Sequence, residues 1–224
     1  MELPENPQEA NPSALPPYHL SLRLQAIEPG TFRVPVGISA RHIHLSPNHL
    51  LALFGSGYGL QVHKPLSQPG QFAARETLTV VGPKGVLEGV RVLGPTRPHS
   101  QVEISRTDSY HLGIETPLRD SGDLEQTPGI VLVGPKGAVN LDQGLILAAA
   151  HIHMHPADAT LAGLKNGERV QVLVEGERGT TFNNVLIRIS PKFKLEFHLD
   201  TDEANAALLE NGDLVEIVPH QLLM

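Results

Sequence analysis

The chain has 224 residues, 40% of them hydrophobic, with no cysteine and a formal net charge of −7. That length buries one large or two small cores. The missing cysteines exclude a disulfide framework and thiolate catalysis, and the acidic balance argues against a general nucleic-acid or anionic-membrane surface while leaving room for a local basic pocket that takes a phosphorylated ligand.

Glycine (21) and proline (19) are abundant and aromatic residues few (4%), the composition of many short elements joined by turns and hence of a β-rich fold. The start, residues 1–17, holds Pro4, Pro7, Pro12, Pro16 and Pro17, and interior prolines remove helical hydrogen bonds and clash with the preceding turn. It lacks the basic and apolar regions of a secretory signal, so residues 1–33 are expected to form a disordered or irregular arm. No apolar run is long enough to span a bilayer. A soluble, cytoplasmic protein is the expectation.

An apolar, strand-like run then ends in His42-Ile43-His44. In an extended strand residues i and i+2 share a face, so two imidazoles can converge on one ion. Pro47 opens a short helix to Leu53, proline being favoured at the first helical position. Leu78–Val81 and Val90–Leu93 read as strands around the turn Gly82-Pro83-Lys84-Gly85, and Gln101–Ser105 as a further strand before Thr107-Asp108.

The pattern then recurs. Another apolar run leads into His151-Ile152-His153, at an offset of 109 from the first pair, followed by Pro156 and a helix to Leu164. Strands are expected at Val170–Val174, Val185–Ile189, Lys194–Leu199 and Leu214–Val218, with a helix at Asp202–Leu209 capped by Thr201. Gly176-Glu177-Arg178-Gly179 aligns with the first turn, and Thr201-Asp202 with Thr107-Asp108, at an offset of 94. The change of offset places an insertion near Gly55–Gly70 of the first unit. The sequence therefore predicts a mainly β fold with short α caps: two similar small β-barrel domains related by internal duplication, at 34–120 and 121–224.

Two histidines leave a tetrahedral site incomplete, since a catalytic zinc takes three protein ligands and keeps one position open. The strand before each Thr-Asp pair offers Glu103 in one unit and His198 in the other, one residue apart in the alignment, which a bulge or slip would reconcile. The candidate metal sites are His42, His44, Glu103 and His151, His153, His198, with zinc as the metal, two ions per chain.

Val36–Ser46, Leu93–Arg97 with Gln101–Asp108, Arg119–Leu124, and Phe197–Asn205 resemble the signature blocks of the phosphate propanoyltransferase family, the phosphotransacylases of the propanediol-utilisation type. The resemblance runs in order from about Val34 to Val218. It implies two capped β-barrel domains, a dinuclear zinc site whose ligands fall on the same six residues, and a phosphate-contacting arginine at Arg97. The implied reaction is reversible acyl transfer between coenzyme A and orthophosphate, in a homodimer. Relatives housed in bacterial microcompartments carry an N-terminal amphipathic helix, for which residues 1–17 show no apolar stripe. Ala150 stands where the family often has arginine, so no substrate contact is assigned there.

Other polar residues carry less. Lys84 and Lys136 lie in Gly-Pro-Lys-Gly turns that could face the phosphates of coenzyme A, although hairpin geometry alone explains the glycines. His155 is a helix-entry residue rather than a ligand. His49, His63, His99, His111 and His220 read as solvated or packing, and Arg75 and Arg106 as solvated or ion-paired. A cupin, an amidohydrolase barrel and a metallo-β-lactamase each require motifs that are missing. The remaining alternatives are a zinc hydrolase of thioesters or acyl phosphates, with water replacing phosphate, and a non-catalytic metal-binding microcompartment component.

Overall fold

The computed structural model describes residues 32–218. The first half contains β1 (Phe32–Ser39), β2 (His42–His44), α1 (Pro47–Phe54), β3 (Val62–Pro65), β4 (Phe72–Val81), β5 (Val86–Gly94), β6 (Gln101–Glu103), α2 (Arg106–Leu112) and β7 (Leu118–Arg119). The second contains β8 (Ile130–Val133), β9 (Ala138–Leu141), β10 (Leu145–Ala148), β11 (His151–Met154), α3 (Pro156–Ala162), β12 (Arg169–Val174), β13 (Thr180–Ile189), β14 (Glu196–Asp200), α4 (Thr201–Ala207) and β15 (Leu214–Val218). The expected arm lies outside the described residues except for Phe32 and Arg33, which begin β1. Among the described residues no helix is long and apolar enough to cross a membrane.

The fold is mainly β with four short helices, as expected. Six strands close a barrel in the order β1-β14-β11-β13-β12-β15, and nine form a half-barrel sheet in the order β7-β10-β6-β2-β5-β4-β8-β9, with β3 added on β4. Each encloses its own apolar core.

Sheet membership departs from a division at residue 121. β1 pairs with β14 and β15 of the second half, and buries Val34 and Val36 beside Ile152 and Phe197. In return β8, β9 and β10 join the sheet of the first H-x-H, and Leu145 enters its core. Only Ala40-Arg41 separates β1 from β2, and only Ala149-Ala150 separates β10 from β11. In that short span the chain steps from one sheet to the other, so each half lends the other the strand preceding its own H-x-H. A linear repeat looks the same whether that strand stays or is lent.

The exchange follows an internal two-fold relation. Gly37 lies opposite His198 and Ile146 opposite Glu103. Residues 37 and 146 are 109 apart, the offset of the H-x-H pairs, while 103 and 198 are 95 apart. The offset of 95 also relates β5 to β13, since His42 faces Arg91 and His151 faces Leu186, and it relates the left-handed residues Gly89 (φ 67) and Asn184 (φ 61) at the two strand bulges. Helix caps obey it too: Ser105 caps α2 and Asp200 caps α4. The Thr-Asp alignment at 94 is therefore one residue out, Thr201 is not the cap, and Glu103 and His198 are equivalent without any slip.

Both Gly-Pro-Lys-Gly turns dock under helix ends. The Lys84 N–H donates to Leu112 O and the Lys136 N–H to Leu53 O, each at 3.0 Å, satisfying carbonyls that a helix C-terminus leaves without partners. A Cβ on Gly82 would lie 2.5 Å from Leu112 O, and one on Gly134 2.7 Å from Leu53 O. Close backbone approach, not only hairpin shape, requires glycine there. The insertion at 55–70 is anchored by buried Glu76, which accepts from Tyr58 Oη at 2.7 Å and from the Gln61 N–H.

The two helix caps differ in one respect. In the first half Arg41 pairs with the capping-box carboxylate Asp108 at 3.0 Å. In the second the counterparts at offsets 109 and 95 are Ala150 and Glu203, so no arginine sits at the equivalent place. Burial first, then the charges of Asp200 and Asp202, push Glu203 up to about 7, against the lowering effect of the backbone contact with Asp200. A carboxyl whose folded pKa exceeds its unfolded one contributes stability at pH below the unfolded value, and that contribution is lost as pH rises through about 7. Denaturant unfolding of wild type and Glu203→Gln should thus agree near pH 4.5 and diverge by about 1–2 kcal/mol in favour of the variant above pH 8, after allowance for solvent screening. An unchanged difference across that range would remove Glu203 as the cause.

Candidate metal centres and cleft

Register builds each cluster. β2 pairs antiparallel with β6 so that His42 faces Glu103, and β11 pairs antiparallel with β14 so that His151 faces His198. The period of two then adds His44 and His153 on the same faces. His42, His44, Glu103, His151 and His153 are all buried. His42 Nε2 lies 3.5 Å from Glu103 Oε2, and His44 Nε2 3.9 Å from Glu103 Oε1. The His151 and His198 rings stack with centroids 5.1 Å apart, and the His153 ring is 4.7 Å from each. In each triad the donor atoms fall within 4.8 Å of one another, so each could hold a metal ion.

The short crossings between sheets also fix ring orientation. Ala40 O and Ala149 O are acceptors only, so His42 Nδ1 (2.9 Å) and His151 Nδ1 (2.8 Å) carry the proton in these contacts. Each neutral ring then keeps its lone pair on Nε2. Carbonyl support of this kind accompanies metal-binding histidines.

Electrostatics differ between the triads. Burial opposes charge on both His42 and Glu103, but their mutual attraction prevails, holding Glu103 well below the usual carboxylate range and raising His42. Burial and the neighbouring His42 and Arg97 push His44 well down. In the second triad burial, then the other imidazoles, lower His151 to about 4 and His153 to about 2. These rings are neutral near pH 7 and offer lone pairs. The residues fit a metal by a structural criterion as well: His153 Nδ1 is buried without a hydrogen-bond partner, while His198 Nε2 has Glu196 Oε2 2.8 Å away, not aligned as a hydrogen bond. Buried polar atoms without partners are costly unless something completes them.

Both triads open into one cleft of about 860 Å³. Its wall carries Arg41, Lys64, Arg91, Arg97, Arg188 and Lys194 against two carboxylates, Glu103 and Glu196. A chain of net negative charge thus concentrates positive charge at one place, which attracts anions. Arg97 follows β5; its N–H donates to Leu45 O at 2.9 Å and its guanidinium to Ser121 Oγ at 3.3 Å.

Lys84, Lys136, Arg75 and Arg106 are not part of this wall; Arg106 lies over the Tyr110 ring at 4.7 Å. His155 caps α3, accepting from the Ala157 N–H at 3.2 Å. His49 Nδ1 bonds Ser100 Oγ at 2.7 Å and His111 Nε2 bonds Val86 O at 3.0 Å, so both have partners; His220 lies outside the described residues. Sequence reasoning missed Arg188, Glu196 and Gln68. Arg188 had a signal: it is a lone cation in the apolar run Val185–Ile189, alternate to buried Val185 and Ile187, and in register with His153.

Two lent strands, twin three-donor triads and a cationic cleft shared between them form one candidate site, whose charge suits anionic ligands. The family model for phosphate propanoyltransferase matches residues 35–210. The phosphate propanoyltransferase of Thermotoga maritima is 58% identical over 192 residues, covering 85% of this chain and 90% of that protein. That of Priestia megaterium is 59% identical over 180 residues (80% and 83%), and that of Salmonella typhimurium 54% over 179 (80% and 85%). The chain belongs to the phosphate propanoyltransferase family and is an acyltransferase.

Proposed function

We propose that this chain transfers a short acyl group reversibly between coenzyme A and orthophosphate, at two zinc ions held by His42, His44, Glu103 and by His151, His153, His198. The observation that carries the reading is the opening of both triads into a single cation-lined cleft. In the forward direction a phosphate oxygen bonds to the thioester carbonyl carbon, the C–S bond breaks, and the sulfur leaves as the coenzyme A thiolate. Phosphate is a poor anionic nucleophile, and the acyl donor is itself phosphorylated, so the cleft must first offset repulsion between two anions. Its six basic side chains do so. Arg97, oriented by Ser121, offers phosphate a planar fork of donors. Zinc, when bound, supplies Lewis acidity for the carbonyl and a thiophilic site for the departing sulfur. No protein nucleophile is required, in keeping with the absence of cysteine. A homodimer working in the cytoplasm completes the proposal; the dimer rests on the sequence resemblance.

The reading is tested by thiol release from acetyl-CoA and propionyl-CoA with and without phosphate. Phosphate-dependent, reversible release is expected; release that ignores phosphate would make the chain a hydrolase, and no release would make it a non-catalytic metal-binding module. Elemental analysis should find about two zinc ions per chain, three protein ligands defining each site. His44→Ala and His153→Ala should each lose one ion and most of the activity. Arg97→Lys should impair phosphate use strongly while zinc content stays unchanged, because an ammonium lacks the bidentate fork. Wild-type phosphate kinetics in that variant would reassign Arg97 to a structural role.

A further inference from the structure

In each half the residue two positions before the third donor, on the same face of its strand, touches that donor. Gln101 Nε2 donates to Glu103 Oε1, and Glu196 Oε2 lies 2.8 Å from His198 Nε2. Residues 101 and 196 are related by the same offset of 95 as residues 103 and 198. The chemistry is matched in opposite senses. An amide presents an N–H to a carboxylate, and a carboxylate presents an oxygen to an imidazole.

Both partners are themselves held. Gln101 also donates to Ser121 Oγ at 3.0 Å and accepts from the Gly122 N–H at 2.9 Å. Glu196 accepts from Ser67 Oγ and, at 3.1 Å, from Gln68 Nε2. Gln68 is only 3% exposed. Its amide pairs with both backbone groups of Lys194, donating to the carbonyl at 3.0 Å and accepting from the N–H at 3.1 Å, as a neighbouring strand would. Gly37, opposite His198 in the lent strand, leaves room for this: a Cβ there would lie 2.6 Å from Glu196 Cδ. The segment before β4, present only in the first half's insertion, thus reaches the third donor of the second half.

We infer that Gln101 and Glu196 are positioning residues for Glu103 and His198, and that Ser67 and Gln68 brace Glu196, so that the three-histidine triad is organised in part from the other half of the chain. The inference rests on the metal-site reading above. With the ring turned to align the contact, Glu196 accepts a hydrogen bond from the Nε2–H of His198, which keeps the proton on Nε2 and leaves Nδ1 as the donor for a metal, the reverse of the sense in which Ala40 O and Ala149 O hold His42 and His151. Partners of this kind alter metal affinity by roughly 10–100-fold.

The test uses the full chain and two readouts. Zinc release to a chromogenic chelator is followed for Glu196→Gln and Gln68→Ala in a His44→Ala background, which isolates the second triad, and for Gln101→Glu in a His153→Ala background, which isolates the first. Each should weaken its own site roughly 10–100-fold, and Glu196→Gln in the His153→Ala background should leave the first site unchanged. Histidine ¹⁵N spectra of chelator-treated protein give the second readout: His198 should carry its proton on Nε2 in wild type and lose that preference in Glu196→Gln. Wild-type zinc release together with an unchanged tautomer in Glu196→Gln would overturn the inference. A chain that takes up no zinc would defeat the metal reading, while the tautomer would still decide the role of Glu196.

Discussion

Everything at the site depends on the antiparallel register that sets His42 opposite Glu103 and His151 opposite His198. In a strand pair a slip of one residue turns every side chain to the other face, and here a slip in either pair would remove the third donor from the triad that pair builds. That register is fixed by packing. Ile43 and Val102 on one side, and Ile152 and Phe197 on the other, are fully buried register partners that alternate with the donors. The apolar cores thereby hold polar groups which, without partners, would be destabilising to bury.

The lending of β1 and β10 serves the same end. Each crossing of two residues delivers a strand to the opposite sheet and, in the same span, a carbonyl to the first histidine of the triad. The two sheets are thereby tied at the triads, and the cleft receives basic side chains from both. Arg97 comes from the first half and Arg188 from the second.

Much of this was legible in the sequence because it obeys short-range rules. The period of two gave the H-x-H faces, proline gave the starts of α1 and α3, and the repetition gave the pairing of Glu103 with His198. What stayed hidden depends on distance along the chain. The ownership of β1 could not be read, since its alternation of Val34 and Val36 suits either core. α2 (Arg106–Leu112) was foreseen only as a helix cap at Thr107-Asp108, by repetition and without bounds, because Arg-Thr-Asp-Ser-Tyr-His-Leu carries no apolar stripe; its capping box from Ser105 to Asp108 and the ion pair to Arg41 settle it. For the lysines of the Gly-Pro-Lys-Gly turns the sequence left a phosphate contact open beside the plain hairpin reading; what it did not show is that their backbones are committed to the ends of α2 and α1.

The lent strand also constrains how the molecule can be made. Gly37 finds its partner only at His198, and Phe32 only at Ile217, so the barrel cannot close while the ribosome still holds the last strand. At about 5–20 residues per second, the N-terminal strand waits on the order of ten seconds or more with its apolar face unpaired. A nascent chain in that interval is open to pairing with the wrong neighbour, including the same strand of an adjacent nascent copy, and long-range strand pairing of this sort is slow and exposed to aggregation. Circular permutation that moves β1 behind β15 would turn that distant pairing into a local hairpin, and with it the order in which the two cores form.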